Sequence, residues 1–262
     1  MIDLHTHILP DLDDGPSTMP QAIAMARAAQ LDGVRTTVAT PHIREDYPFP
    51  IQLVGVRLRE LEAALADEGI ALVLKSGGEV AIDSAAELDD NDLRTLCLGA
   101  GSYLLVESPY SHATDLLERT LFDLQLRGFR PVLAHPERSP AFLAEPARLE
   151  ALVDRGILSS ITAASLEGRF GSTVLRFAVR LLDQGLVHNI ASDAHDDRRR
   201  APLRRRALES LHPKLPTLAD RERWLITDVP AAVISGDELP PAPPLTQRRG
   251  LLRRLFRGGS AR

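Results

Sequence analysis

Short apolar runs of strand type alternate along the chain with longer stretches in which apolar residues recur every three or four positions. The runs begin near Ile2, Val34, Ile70, Tyr103, Arg130, Ile157 and Val187, so successive starts lie 32, 36, 33, 27, 27 and 30 residues apart. That spacing holds one strand and one helix per unit. Ser17 and Thr18 precede Ile23, Ala26 and Ala29, and Gly33 follows; Leu58, Leu61 and Leu65 lead to Gly69, Leu117, Leu121 and Leu124 to Gly128, and Leu175, Ala178 and Leu182 to Gly185. Val34–Ala39 and Tyr103–Val106 are apolar with little alternation, as expected of parallel strands covered on both faces. Seven β-α units predict an α/β fold, read here as a closed or nearly closed (β/α) barrel, although periodicity alone also fits an open α/β sheet. The third crossover, Asp83 to Gly101, is the least regular, mixing Asp-rich turns with short apolar stretches. A last helix is expected over about 219–234, and four prolines within Pro240–Pro244 then mark a stiff linker. The chain thus divides into a body, residues 1–236, and a linker with a tail, residues 237–262.

Of 262 residues, 44% are hydrophobic and 26% charged, which suits a globular body. No apolar run reaches the ~18–20 residues of a bilayer span and the N-terminus lacks a basic, then apolar, leader, so neither an integral membrane protein nor a Sec-exported one is expected. Cys97 is the single cysteine, which excludes an internal disulfide framework and fits a reducing cytoplasm. No Arg follows it in Leu98–Tyr103, which argues against cysteine-dependent phosphatase chemistry. The net charge of −5 hides six Arg and no acid in residues 245–262, leaving −11 on residues 1–244. An acidic body suits cations better than nucleic acid. In the tail, residues 250–258 put Leu251, Leu252, Leu255 and Phe256 on one helical face beside Arg253, Arg254 and Arg257, a segment able to lie on anionic membrane.

A parallel barrel builds its site at the C-terminal ends of its strands. There the sequence puts His5 and His7, followed by Asp11, Asp13 and Asp14; then His42, Glu79, Glu107, His135, and Asp193 with His195. Only the sixth strand, ending near Thr162, offers no strong ligand. Gly77 and Gly78 allow the backbone to bend and bring Glu79 close to the others. Imidazole and carboxylate without thiolate suit Mn, Fe or Zn, and nine ligands imply two or three ions, the arrangement of metal-assisted phosphoester hydrolysis. Arg138 and Arg200 follow His135 and His195 closely enough to bind a phosphate. His112, His188 and His212 are read as structural, at a helix start, in a strand and on the surface.

The run Met1–Pro10 with Asp13-Asp14-Gly15, Ala-Thr-Pro-His at 39–42, Glu79, Leu105-Val106-Glu107, Ala-His-Pro-Glu-Arg at 134–138 and Ala-Ser-Asp-Ala-His at 191–195 resembles the PHP superfamily, and within it the bacterial CpsB/YwqE-type tyrosine-protein phosphatases of capsule and exopolysaccharide loci. The resemblance covers residues 1 to about 236. It implies a distorted (β/α)7 TIM-like barrel and a manganese-dependent phosphatase. It places His5, His7, Glu79 and Asp193 on one ion, Glu79, Glu107 and His135 on a second, and Asp14, His42 and His195 on a third. Arg138, Arg200, Asp193 and His42 become the expected catalytic residues, the arginines on the phosphate and a metal or a protonated His or Asp beside the leaving phenolate. The implied substrate is the phosphotyrosine tail of a membrane-associated tyrosine autokinase, reached from the cytoplasm or from the inner membrane face through residues 250–258. Ala81 and Ala164 stand where relatives often carry Arg and Gly, which leaves oligomeric assembly and substrate detail open. The alternatives are a histidinol-phosphatase-like small-molecule phosphomonoesterase and a non-catalytic PHP regulatory module; nucleic acid is not an expected partner.

Overall fold

Seven strand positions join edge to edge into a closed parallel barrel in a computed structural model that describes residues 1–108, 115–212 and 215–245. β1 (Ile2–Thr6) pairs with β2 (Thr36–Ala39), while β3 (His42–Ile43) belongs to a second sheet. β4 (Val73–Ser76) pairs with β2, and β5 (Glu79–Ala81) with β3. From β5 the second sheet runs through β6 (Tyr103–Glu107), β7 (Arg130–Ala134), β8 (Leu158–Thr162) and β9 (Asn189–Ala191), parallel throughout. The ring closes where Thr6 bridges Ala194, with the Asp193 amide donating to the His5 carbonyl at 2.9 Å and the His7 amide to the Ala194 carbonyl at 2.8 Å.

The distortion has a local cause. Thr40-Pro41 separates β2 from β3, and Gly77-Gly78 separates β4 from β5, so two of the seven strands bend before their C-terminal ends. A Cβ at Gly77 would stand 2.9 Å from Val38 Cγ1, and one at Gly78 2.8 Å from Leu96 Cδ2. Any larger residue would push the bend away from the core. The bend registers His42 directly against Glu79.

Helices Met19–Asp32, Gln52–Asp67, Asp115–Leu126 and Ser172–Asp183 occupy the four periodic segments. Strands nevertheless start one to three residues later than four of the apolar runs do. The first apolar residue after each helix belongs to that helix: the amide of Val34 donates to Ala29, Ile70 to Leu65 and Ile157 to Leu152 (3.0, 2.9 and 3.1 Å). These are the six-to-one bonds that end helices around a left-handed glycine, here Gly33, Gly69 and Gly156. The irregular third crossover holds two six-residue helices, Ile82–Glu87 and Asp90–Thr95, the second capped by Asp89, whose carboxylate accepts from the amides of Asn91 and Asp92. Helical structure is continuous from Pro216 to Ser235, through a wider turn at Trp224–Asp228. The proline segment then lies on the barrel: Trp224 Nε1 donates to the Pro240 carbonyl (3.0 Å), and Leu239 packs on the core.

Cys97 is buried, its thiol donating to the Leu93 carbonyl, and burial pushes its pKa up to about 11. His188 stands one residue before β9 rather than inside it, accepting from the Ser159 amide. His212 is half-buried rather than on open surface, because Glu222 pairs with its ring. His112 and tail residues 250–258 lie outside the described residues.

Near the other end of β1, Arg204 is fully buried. Its Nη1 donates to the carbonyls of Ile2 (2.7 Å) and Ile190 (3.1 Å), and its Nε lies 3.7 Å from Asp3 Oδ2. Arg204→Ala strands the buried Asp3 charge and is expected to lower the unfolding free energy by ~3–5 kcal/mol, read by urea denaturation. A variant within 1 kcal/mol of the parent, at about the size of a surface substitution, would contradict this.

Candidate metal centre

Five imidazoles and four carboxylates from six of the seven strand ends converge inside the barrel mouth. Glu79, carried inward by the glycine bend, is the hub. Its Oε2 lies 3.0 Å from His42 Nδ1 and 3.3 Å from both His5 Nε2 and His7 Nε2, while Oε1 lies 2.8 Å from His135 Nε2. Asp193 Oδ1 stands 3.5 Å and 3.6 Å from the same two nitrogens of His5 and His7. Donors that share one ion at ~2.1 Å from each lie roughly 3.0–3.5 Å apart, so these separations suit a common cation. Glu107 Oε1 lies 3.9 Å from His135 Nε2, and Asp14 Oδ1 lies 3.3 Å from His195 Nε2 and 3.5 Å from His42 Nε2. All nine expected positions fall into four overlapping groups that could hold metal: His5-His7-Asp193, His5-Glu79-His135, His42-Glu79-Glu107 and His7-Asp14-His42-His195.

The donor atoms fit a cation on a second count. Glu79 Oε2, His42 Nδ1 and His195 Nε2 are buried without a hydrogen-bond partner. Buried polar atoms are normally satisfied, and these orphans come together in two of the four groups, Glu79 with His42 in one and His42 with His195 in another, which leaves places for cations. The backbone is strained at the same spot. Among the described residues other than glycine, positive φ occurs at Asp11 (59°), His135 (34°) and Asp193 (52°). Two of these three are expected ligand positions, held in a region that costs about 1–3 kcal/mol per residue.

Electrostatics follow from the crowding. Burial opposes ionisation of Glu79 and Asp193, yet the neighbouring His5 and the other imidazoles hold both carboxyls well below the usual range. Burial also opposes a charged His7, but the Asp13 carboxylate pushes its pKa up to about 10. His195 is held down to about 4 by burial and by the charge of His7. Burial, then the charge of Glu79, raises Glu107. Four carboxylates so close together need positive charge among them, which bound cations would supply.

Arg138 Nη1 donates to Asp193 Oδ2 at 2.7 Å and Arg200 Nη2 donates to the same oxygen at 3.1 Å. Arg138 also packs over the Phe170 ring at 4.4 Å. Both expected arginines therefore stand at the edge of the cluster, near the carboxylate that closes it.

Several residues with a part in this geometry are not distinguished in the sequence. His7 Nδ1–H donates to Asp13 Oδ2 (2.6 Å), and the same oxygen accepts from the His42 amide (2.9 Å), so Asp13 fixes the ring that turns Nε2 toward the cluster. Asp11, from the same acidic run, is exposed and faces Arg57 instead. Asp196 accepts from the amides of Arg198, Arg199 and Arg200, shaping the turn that presents Arg200. Glu137 is buried and accepts from the Thr162 amide (2.9 Å) and Ser165 hydroxyl (2.6 Å), tying the His135–Arg138 turn to β8. Asp13→Asn weakens the orienting bond and is expected to reduce metal affinity or turnover by ~10–100-fold, measured by titrating metal into chelator-stripped protein. Unchanged affinity and turnover would refute the orienting role.

Residues 1–235 match the capsular polysaccharide synthesis family CpsB/CapC. The chain is 40% identical to the tyrosine-protein phosphatase YwqE of Bacillus subtilis over 197 residues, covering 75% of this chain and 78% of that one. It is 28% identical to the tyrosine-protein phosphatase CpsB of Streptococcus pneumoniae over 245 residues, covering 89% and 98%. Among solved structures it is similar to one from work on YwqE and CpsB, described as unique metal-dependent tyrosine phosphatases, with a TM-score of 0.79, 33% identity and coverage of 94% of this chain and 100% of that one.

Proposed function

The chain belongs to the CpsB/CapC family of capsular polysaccharide synthesis proteins, and we propose on that premise that it is a metal-dependent protein-tyrosine phosphatase of capsule or exopolysaccharide biosynthesis. The observation that carries the reading is a cluster of His and carboxylate groups sharing Glu79, edged by two arginines. His5, His7, Asp14, His42, Glu79, Glu107, His135, Asp193 and His195 would hold two or three ions, manganese being our choice and iron or zinc the alternatives. When bound, such ions polarise phosphoryl oxygens and acidify water for attack on phosphorus. Arg138 and Arg200 exchange their contacts with Asp193 for the phosphoryl oxygens and hold the group in line. Glu137 and Asp196 keep the two arginine-bearing turns in place. Phenol, with a pKa of ~10, leaves more readily than an alkyl alcohol, so a tyrosyl phosphate makes little demand on a general acid; of the two expected donors, Asp193, though buried, is held ionised by the imidazoles and arginine around it, which leaves that role to His42.

The test is to strip the protein with chelator and follow phosphate release from a Tyr-phosphorylated peptide and from histidinol phosphate as Mn²⁺ is returned. Metal-dependent release from the peptide and little from the small molecule supports the reading. Release from histidinol phosphate alone points to the small-molecule enzyme, and no release from either to a regulatory module.

The finer substrate is the tail of a membrane-associated tyrosine autokinase. No described helix is long and apolar enough to cross a membrane. Approach to such a kinase, from the cytoplasmic face, is assigned to the basic segment 250–258 for its paired arginines and apolar face. Deleting residues 246–262 is expected to abolish sedimentation with anionic liposomes and to spare hydrolysis of a soluble peptide. Equal sedimentation of the two forms would refute the membrane contact.

A further inference from the structure

A groove of about 780 Å³ opens from the Glu107 edge of the metal cluster and runs between the β3 loop and helix Ile82–Glu87. Its volume lies in the range that encloses a ligand larger than one side chain. Tyr47, Phe49, Ile82 and Leu88 supply apolar wall. Tyr47 is held flat against His42, ring centroids 5.4 Å apart and planes 7° apart, so an aromatic surface stands directly beside a ligand position. The rim carries Glu45, Asp46, Asp83 and Glu87. The one cation among its described lining residues, Arg44, is already engaged, donating to Asp46 Oδ1 at 2.7 Å and lying 3.5 Å from Glu107 Oε2. The groove is therefore aromatic at its inner end and acidic at its outer end.

We propose that this groove selects the substrate: it takes the phosphotyrosyl ring against Tyr47 and the flanking peptide along Phe49 and helix Ile82–Glu87, favouring basic residues beside the phosphotyrosine. The inference rests on the phosphatase reading and adds which peptides that site accepts. Continuity carries the occupant, since Glu107 lines both cluster and groove, and a phosphate at the cluster leaves its aryl group in the groove. Charge complementarity carries the flanks, because an acidic rim raises the association of a basic peptide and repels an acidic one. A smaller cavity of about 200 Å³ lies at Asp193, lined by Phe170, Arg169 and Arg200, and would have the opposite taste for charge. It is too small to hold a ring together with its flanks.

The test uses the full chain loaded with Mn²⁺ and two peptides carrying a non-hydrolysable phosphonate analogue of phosphotyrosine, one flanked by Lys and one by Glu. Fluorescence anisotropy at low ionic strength is expected to show the Lys-flanked peptide binding about tenfold more tightly, a difference of roughly 1.4 kcal/mol. Asp83→Lys with Glu87→Lys, both exposed positions, removes or inverts that preference. Tyr47→Ala weakens both peptides about three- to tenfold, and Tyr47→Phe, which keeps the ring, restores them. Equal binding of the two peptides, a preference untouched by the charge reversal, or sensitivity to Phe170→Ala in place of Tyr47→Ala overturns the proposal. Turnover of p-nitrophenyl phosphate separates the two claims. If it is hydrolysed while the peptides show no preference, only the groove inference fails; if it is never hydrolysed, the phosphatase reading falls and the inference with it.

Discussion

Glu79→Gln is expected to eliminate both bound metal and phosphotyrosine hydrolysis. The substitution keeps the shape of the side chain and removes its charge. One oxygen of Glu79 stands within 3.0–3.3 Å of three imidazole nitrogens and the other within 2.8 Å of a fourth, so it belongs to two of the four candidate groups outright and borders the others. Losing it would remove the carboxylate that two of these groups share. Metal ions supply several kcal/mol of charge stabilisation in phosphoryl hydrolysis, which sets the expected fall in kcat/KM at roughly 10³-fold or more. Elemental analysis and phosphate release on the same preparation measure both effects. Near-parent activity in a folded, metal-loaded variant would sink the assignment.

Arg138→Ala is expected to lower turnover while leaving metal content in place. Arg138 touches Asp193 Oδ2 at 2.7 Å and is steadied by the Phe170 ring, so its guanidinium is placed before substrate arrives. A fixed donor aimed at charge that develops in the transition state is worth about 10²–10³-fold, and most of the loss should fall on kcat. Arg138→Lys should recover little, because an ammonium cannot reproduce the planar fork. A fall in metal occupancy equal to the fall in rate would mean that Arg138 only supports Asp193.

The barrel and most of its site were legible because each signal was local. Seven apolar runs at near-regular spacing correspond to the seven strand positions, and the expected ligands sit within a few residues of a strand end, except Asp14, which lies farther along the loop after β1. Strand starts differ from the apolar runs where a residue serves two elements: Val34 and Ile70 look like strand residues, but their amides close the preceding helices. The orienting role of Asp13 was hidden inside an acidic run whose three carboxylates are chemically alike and differ only in direction, which the turn at Asp11 (φ 59°) decides. Arg204 was illegible for another reason. In sequence it stands in a basic stretch, and only closure of the barrel brings Asp3, about two hundred positions away, to meet it.

Metal in the barrel mouth is tested by an anomalous difference map at the manganese edge, from crystals of the full chain grown with Mn²⁺. Two or three peaks are expected inside the barrel mouth, between Glu79 and the surrounding His5, His7, His42, His135 and His195, and none when Glu79→Gln crystals are treated alike. Peaks elsewhere on the surface, or an empty mouth in crystals of protein that hydrolyses phosphotyrosine, would contradict it.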